Sequence, residues 1–189
     1  MTQPLDITQP RTPGVQLLRP FHAVDHRGDF CKFFDIDVQR TFGLANEIEE
    51  CFVTTSHDQV LRGMHLQLPP HDHAKFVTCT QGRVLDVVLD LRVDSPRFGM
   101  AEGFELDGAS PRTVAIPSGL AHGFCVLSGP ATLIYAVTRR HAPSHDTGIH
   151  WDSFGFEWPV STPLVSARDA ALPRFADFAS PFRMEPRRA

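Results

Sequence analysis

Between Gln59 and Leu91 the chain reads QVLRGMHLQLPPHDHAKFVTCTQGRVLDVVLDL. Apolar and polar positions alternate there with period two, the spacing that sends successive side chains to opposite faces of a β-strand. In GRVLDVVLDLR, Leu85, Val87, Leu89 and Leu91 form one apolar face, while Val84, Asp86, Val88 and Asp90 form the other. In AKFVTC, Lys75 shares a face with Val77 and Cys79. The pattern predicts three strands, separated by turns at PPHD and TQG. The same stretch carries Arg62, His65, His71 and His73. So many ionisable groups on strands read either as solvated faces or as a sheet closed around a wet pocket.

The rest of the chain continues the theme. Val15–Leu18, Phe30–Asp35 (after the turn DHRGD), Glu49–Ser56, Met100–Leu106, Arg112–Ile116, Gly123–Leu127 and Thr132–Thr138 have strand character, with turns at PSG and SGP. Strands about ten residues apart, bounded by Gly and Pro, point to an all-β sandwich or barrel. Helix is expected only at Asp37–Leu44 and near Ser166–Ala171. Residues 1–14 read as a loose arm and 139–189 as a loop-rich segment, with residues 1–189 forming one domain.

Composition narrows the function classes. At 189 residues the chain is long enough for a substantial core, and a net charge of -4 argues against a nucleic-acid surface. It has no run of about eighteen apolar residues to span a membrane, and MTQPLDITQPRTPG lacks the features of a signal peptide. The cytoplasm is the expected location. Cys31, Cys51, Cys79 and Cys125 contain no CxxC pair, which fits reduced thiols rather than a disulfide framework. Phe occurs 15 times and Tyr once, so Tyr135 stands out.

Two motifs bear on the type of barrel. HDH at 71–73 followed by Gly82, and Pro117-Ser-Gly-Leu-Ala-His122, resemble the two motifs of the cupins, which hold a metal inside a small jelly roll. The glutamate of the first motif would fall near Val77 or Thr78, and neither ligates. Three imidazoles, His71, His73 and His122, remain as an alternative metal set for zinc or iron.

A second resemblance covers almost the whole chain. RGD at 27–29, LRGMHLQLPP at 61–70, AKFV at 74–77, GRVLDVVLDLR at 82–92, SPRFG at 95–99, IPSGLAHGF at 116–124, IYAVT at 134–138, GIHWD at 148–152 and SARD at 166–169 occur in order. The chain resembles the dTDP-4-dehydrorhamnose 3,5-epimerase family. These are metal-free cupins acting on nucleotide-linked 4-keto-6-deoxy sugars. The resemblance implies a cupin-type jelly-roll barrel, a nucleotide-sugar substrate, no cofactor and a homodimer. It also implies that N-terminal strands extend onto the partner barrel.

Inverting a carbon beside a ketone needs a base, an acid on the other face, and a cation near the enolate oxygen. The resemblance places the base at His65, oriented by Asp169, the cation at Lys75 and the acid at Tyr135. Arg27 and Arg62 match positions that bind the diphosphate, where a planar guanidinium suits phosphate oxygens. His122, Asp86 and Gln67 fall at pocket positions. Arg62 and His65 are three apart and face opposite ways on a regular strand, unless Gly63 permits a bulge.

The chain departs from the family pattern in two places. FVTTS at 52–56 stands where relatives carry a QDNHS-like run that reads thymidine, and Arg139, Arg140 and His141 replace a tyrosine pair. CDP- and GDP-linked sugars therefore stay open beside dTDP. A metal-dependent cupin, a non-catalytic sugar-nucleotide binder and a 4-ketosugar ketoisomerase are the competing readings.

Overall fold

The computed structural model describes residues 6–34 and 48–184, so the helix expected at Asp37–Leu44 lies outside the described residues. Two long strands organise the rest. β7 (Lys75–Asp90) and β10 (Leu120–Val137) pair antiparallel from Lys75 opposite Val137 to Asp90 opposite Leu120. The turn signals at TQG and SGP predict a break in each, but both strands run through, with register shifts near Ser128 and Thr132. The pair bends there instead of ending. Gly82 takes φ +72°, and a Cβ on it would stand 2.6 Å from the carbonyl oxygens of Ser128 and Pro130. Only glycine lets the two backbones approach so closely in that conformation.

The bend carries both strands from one sheet into another. On one side of it, β7 pairs with β9 (Thr113–Ile116), and Ala131–Val137 of β10 pairs with β5 (Glu50–Ser56). On the other side, β7 pairs with β8 (Ala101–Asp107), and β10 pairs with β6 (Leu61–Gln67), flanked by β11 (Asp146–Gly148). β2 (Gln16–Arg19) extends the first sheet beyond β9, and β1 (Asp6–Thr8) pairs with β2. Part of the expected loose arm is therefore strand. β3 (Phe21–Asp25) and β4 (Gly28–Lys32) form a separate two-stranded sheet, of which the alternation signal gave only the second strand. Helix among the described residues is confined to Ala167–Ala170, where one was expected, and a 3₁₀ turn at Phe175–Asp177.

The two faces of β7 serve different ends. Val84 and Val88, from the face that also carries Asp86, join Val77, Phe104, Phe124, Leu133 and Tyr135 in the largest buried cluster. The cleaner apolar face, Val87, Leu89 and Leu91, packs against Met64, Ile149 and Phe182, with Phe154, Phe156, Trp158, Phe175 and Phe178 alongside. The loop-rich C-terminal segment is thus an apolar cover, held by the buried Phe182 and five partly buried rings around it. All four cysteines are free thiols. No helix among the described residues is long and apolar enough to cross a membrane.

Candidate active site

A pocket of about 230 Å³ lies where β5, β6, the start of β7 and both halves of β10 meet. Its walls include Arg62, His65, Lys75, His122 and Tyr135. Arg62 and His65 face the same space because β6 is irregular between them. Gly63 has φ +129°, and the register against β10 shifts between His122 and Phe124. A Cβ on Gly63 would sit 2.5 Å from Gly123 Cα. This is the bulge that the spacing of Arg62 and His65 requires.

Asp169 arrives from 104 residues away in sequence. Ser166 caps the short helix by accepting a hydrogen bond from Asp169 N at 3.1 Å, which fixes the turn that aims the carboxylate inward. Asp169 is buried, with Oδ1 2.7 Å from His65 Nε2 and Oδ2 accepting from Gly63 N at 3.1 Å. Burial raises the proton affinity of this carboxyl, but the hydrogen bond from His65 and that from Gly63 outweigh it and hold the group below its ordinary value. An ionised Asp169 requires Nε2 to carry the proton it donates, which leaves Nδ1 as the basic nitrogen. Burial pushes His65 below its ordinary value against the opposing pull of Asp169, so the imidazole is neutral at pH 7.

Lys75 Nζ donates to the His65 carbonyl oxygen at 3.2 Å. Burial brings its ammonium down to about 8, opposed by the negative charges of Asp146 and Asp86. Tyr135 is buried, its ring stacked on Phe52 at 4.6 Å and edge-on to His122 at 6.0 Å. Burial first, and then the charge of Asp86, push its hydroxyl up, so the phenol keeps its proton. His122 Nε2 lies 2.7 Å from Asp86 Oδ2, both groups buried, while Asp86 Oδ1 has no partner among the described residues. A neutral imidazole with an uncommitted Nδ1, a lysine that is charged at neutral pH and a protonated phenol thus share one cavity.

The remaining expected site residues fall out differently. Arg62 lines the pocket, its Nε donating to Ser56 Oγ at 3.0 Å. Gln67 also lines it, but its amide is committed to the protein. Its Nε2 donates to His71 O at 2.8 Å and lies 3.0 Å from His73 Nδ1, and its Oε1 accepts from Ala142 N at 2.6 Å. Arg27 stands at the exposed turn between β3 and β4, paired with Asp25 at 2.5 Å and away from the cavity. The alternative metal set does not assemble. His71 packs on the His145 ring at 4.4 Å, His73 sits beside Gln67 and His122 is engaged by Asp86. Among the described residues no three His, Cys, Asp or Glu side chains are arranged to hold a metal ion. Burial, then the charge of Lys75, push His73 down to about 3, so it is a neutral wall residue.

Other residues in and around the pocket are not among those expected to form the site. Asp146 and Arg168 meet at 2.7 Å on the pocket wall. Glu49 pairs with Arg139 at 2.6 Å, and Glu50 accepts from His141 N at 2.8 Å, pinning the segment Arg139–His141. Thr54 faces the cavity from β5.

The sequence profile for dTDP-4-dehydrorhamnose 3,5-epimerase matches residues 9–177. The dTDP-4-dehydrorhamnose 3,5-epimerase of Shigella flexneri is 36% identical over 179 residues, covering 92% of this chain and 97% of that protein. The dTDP-4-dehydrorhamnose 3-epimerase of Streptomyces niveus is 38% identical over 159 residues, covering 82% of this chain and 77% of its own length. Among solved structures, the 3,5-epimerase of Legionella pneumophila in complex with dTDP-4-keto-L-rhamnose superposes with a TM-score of 0.90 at 29% identity, covering 96% of this chain and all of that one. The fold is therefore the cupin-type jelly roll that the motifs imply, and the chain belongs to the dTDP-4-dehydrorhamnose 3,5-epimerase family.

Proposed function

We infer that the protein is an epimerase of a nucleotide-linked 4-keto-6-deoxy sugar, inverting C3, C5 or both through an enolate. The observation that carries this reading is the His65–Asp169 pair at 2.7 Å beside Lys75, in the same cavity as a protonated Tyr135. His65 Nδ1 takes the proton from the carbon next to the ketone. The electron pair moves into the ring and onto the carbonyl oxygen, where the Lys75 ammonium stabilises the charge. Asp169 stabilises the imidazolium. Tyr135 then returns a proton to the other face of the carbon, and the ketone re-forms with the centre inverted. His122 and Asp86 complete the wall behind Tyr135, and Arg62 offers its guanidinium to the diphosphate.

Relatives named for dTDP sugars favour thymidine as the base. FVTTS and Arg139–His141 depart from the thymidine-reading pattern, so CDP- and GDP-linked sugars belong in the same test. We propose a homodimer acting in the cytoplasm, where the four free thiols stay reduced. The β3–β4 hairpin exposes Phe21 at 46%, Val24 at 72% and Phe30 at 59%, and an isolated two-stranded sheet is marginal alone. Packed on a partner barrel, it buries those side chains and brings Arg27 towards the partner's cavity.

The deciding assay incubates dTDP-, CDP- and GDP-4-keto-6-deoxy sugars with the protein in heavy water. Deuterium uptake at C3 or C5 and product configuration are scored separately by NMR. Uptake with inversion on one of them is expected. A product with its carbonyl moved to another carbon would instead mark a ketoisomerase.

A further inference from the structure

Thr54 lies in FVTTS, the run in which this chain departs from the pattern it resembles. β5 pairs with β10 in the register Phe52 opposite Tyr135 and Thr54 opposite Leu133. Phe52, Thr54 and Tyr135 therefore project from one face, with Thr54 the diagonal neighbour of Tyr135, within reach of a long aromatic side chain. Phe52 fixes the ring by stacking at 11° to it. Thr54 and Tyr135 line the same cavity.

The other hydroxyls of this strand are occupied. Ser56 Oγ accepts from Arg62 Nε at 3.0 Å, and Thr55 Oγ1 meets Thr132 Oγ1 at 3.2 Å. Thr54 Oγ1 is buried and forms no hydrogen bond among the described residues. A buried polar atom without a partner is uncommon and unfavourable. The hydroxyl faces the Tyr135 phenol closely enough to favour its ionised form, without the full geometry of a formed hydrogen bond. The contact is poised rather than made. Of the charged groups around that phenol, Asp86 opposes its ionisation and Arg62 favours it.

We propose that Thr54 is a positioning residue for the inverting proton transfer, its hydroxyl donating to the Tyr135 oxygen as that oxygen loses its proton. In this step the Tyr135 O–H bond breaks and a C–H bond forms at the enolate carbon. The C=C pair becomes the new C–H bond, the ketone re-forms, and the negative charge passes to the phenolate. That phenolate is buried near the carboxylate of Asp86, so it needs a donor. Thr54 has a free O–H, and its β-branch stiffens χ1 on a strand. Phe52 cannot supply one, and the Ser56 hydroxyl is already engaged by Arg62.

The proposal rests on the epimerase reading, and its test separates the two. Wild type, Thr54→Val, Thr54→Ser, Tyr135→Phe and the double variant Thr54→Val/Tyr135→Phe are run in heavy water. The quantity read is inversion per exchange event at the epimerised carbon. Thr54→Val should lower that ratio about tenfold or more, the worth of one hydrogen bond to a charged oxygen. The loss should appear in kcat with KM within about twofold, and Thr54→Ser should restore most of it. In the Tyr135→Phe background the Thr54→Val change should add nothing. Partial unfolding lowers exchange and inversion together and leaves the ratio unchanged, so an unchanged ratio overturns the proposal. It is equally overturned if Thr54→Ser fails to recover, or if Thr54→Val costs as much without the phenol. A wild-type protein that neither exchanges nor inverts any nucleotide sugar would overturn the epimerase reading and this proposal with it.

Discussion

Replacing Asp169 by Asn changes one atom and should reverse the polarity of His65. The carboxylate now accepts twice, from His65 Nε2 at 2.7 Å and from Gly63 N at 3.1 Å. Asparagine offers one acceptor and one donor group. If its oxygen stays on Gly63 N–H, its NH₂ faces His65 Nε2 and forces the imidazole proton onto Nδ1. If it flips, its NH₂ opposes the Gly63 N–H and leaves two buried donors in conflict. The first arrangement satisfies both partners and should prevail. Nδ1 then carries a proton and cannot take another from the sugar. A positioned general base contributes ~10²–10⁴-fold, and the same substitution in a His–Asp pair of serine proteases costs about 10⁴-fold. Deuterium uptake by Asp169→Asn should therefore fall ~10²–10⁴-fold, roughly 2.7–5.5 kcal/mol of barrier. KM should change little, because Asp169 is buried behind His65.

The residual activity carries a second signature. Asp169 is the group that raises His65 against burial, so its loss should move the acid limb of the rate profile to lower pH. Stability should follow the carboxylate. Asp169 is held below its ordinary value of 3.8, so its stabilisation is complete above that value and is lost as pH falls through the folded one. The stability gap between wild type and Asp169→Asn should widen in mild acid, where His65 gains a proton beside the carboxylate only in wild type, and close in strong acid as Asp169 itself is protonated. Exchange within threefold of wild type, or a gap that persists undiminished in strong acid, would refute the dyad argument.

Three other outcomes are expected. The kcat/KM profile should be bell-shaped, with an acid limb on the low side of the ordinary imidazole value as His65 gains a proton and a fall above about 8 as Lys75 loses one, and Lys75→Arg should move the alkaline limb upward; an unmoved limb would assign it to another group. Gly82→Ala should lower unfolding stability by ~1–3 kcal/mol in urea titration, since its Cβ meets backbone at 2.6 Å in a positive-φ conformation, and a change under about 0.5 kcal/mol would show that the strand corner yields freely. Sedimentation at micromolar concentration should give a dimer, with Arg27→Ala raising KM; a fully active monomer would remove the hairpin from the site.

What the sequence discloses follows from which signals are local. Alternation found β5 through β10 because half-buried strands print their faces directly. It mistook the corners of β7 and β10 for turns, since glycine serves a turn and a bend equally, and only the pairing with β8 and β9 on one strand and with β5 and β6 on the other distinguishes them. DIT and DTG, the strands β1 and β11, are three residues each and too short to carry a period. Lys75 and Asp86 were conspicuous as ions on apolar strands. Asp169 was not, because an acidic residue in the first turn of a helix is ordinary and its partner is 104 residues away. Its role came from family resemblance alone. Asp146, Arg168 and Thr54 left no local mark, for their placement depends on how β11, the short helix and β5 converge.

The bent strand pair also explains why one cavity holds three proton carriers in three different states. His65, Asp86 and His122 stand on the sheet shared by β6, β8 and the first half of β10, while Lys75 and Tyr135 stand on the sheet shared by β5 and β9. Closing the two sheets over one space buries all of them, and burial disfavours whichever form is charged. His65 and Lys75 are cations when protonated, so both move down, and Tyr135 is an anion when ionised, so it moves up. Left to burial alone, the lysine would sit lower still, closer to losing its charge. Asp146 and Asp86 pull it back to about 8, and Asp169 checks the fall of His65. Near neutrality the proposed base, His65, is then empty, Lys75 is charged and the proposed acid, Tyr135, is loaded, which is the arrangement that an inverting proton exchange must start from.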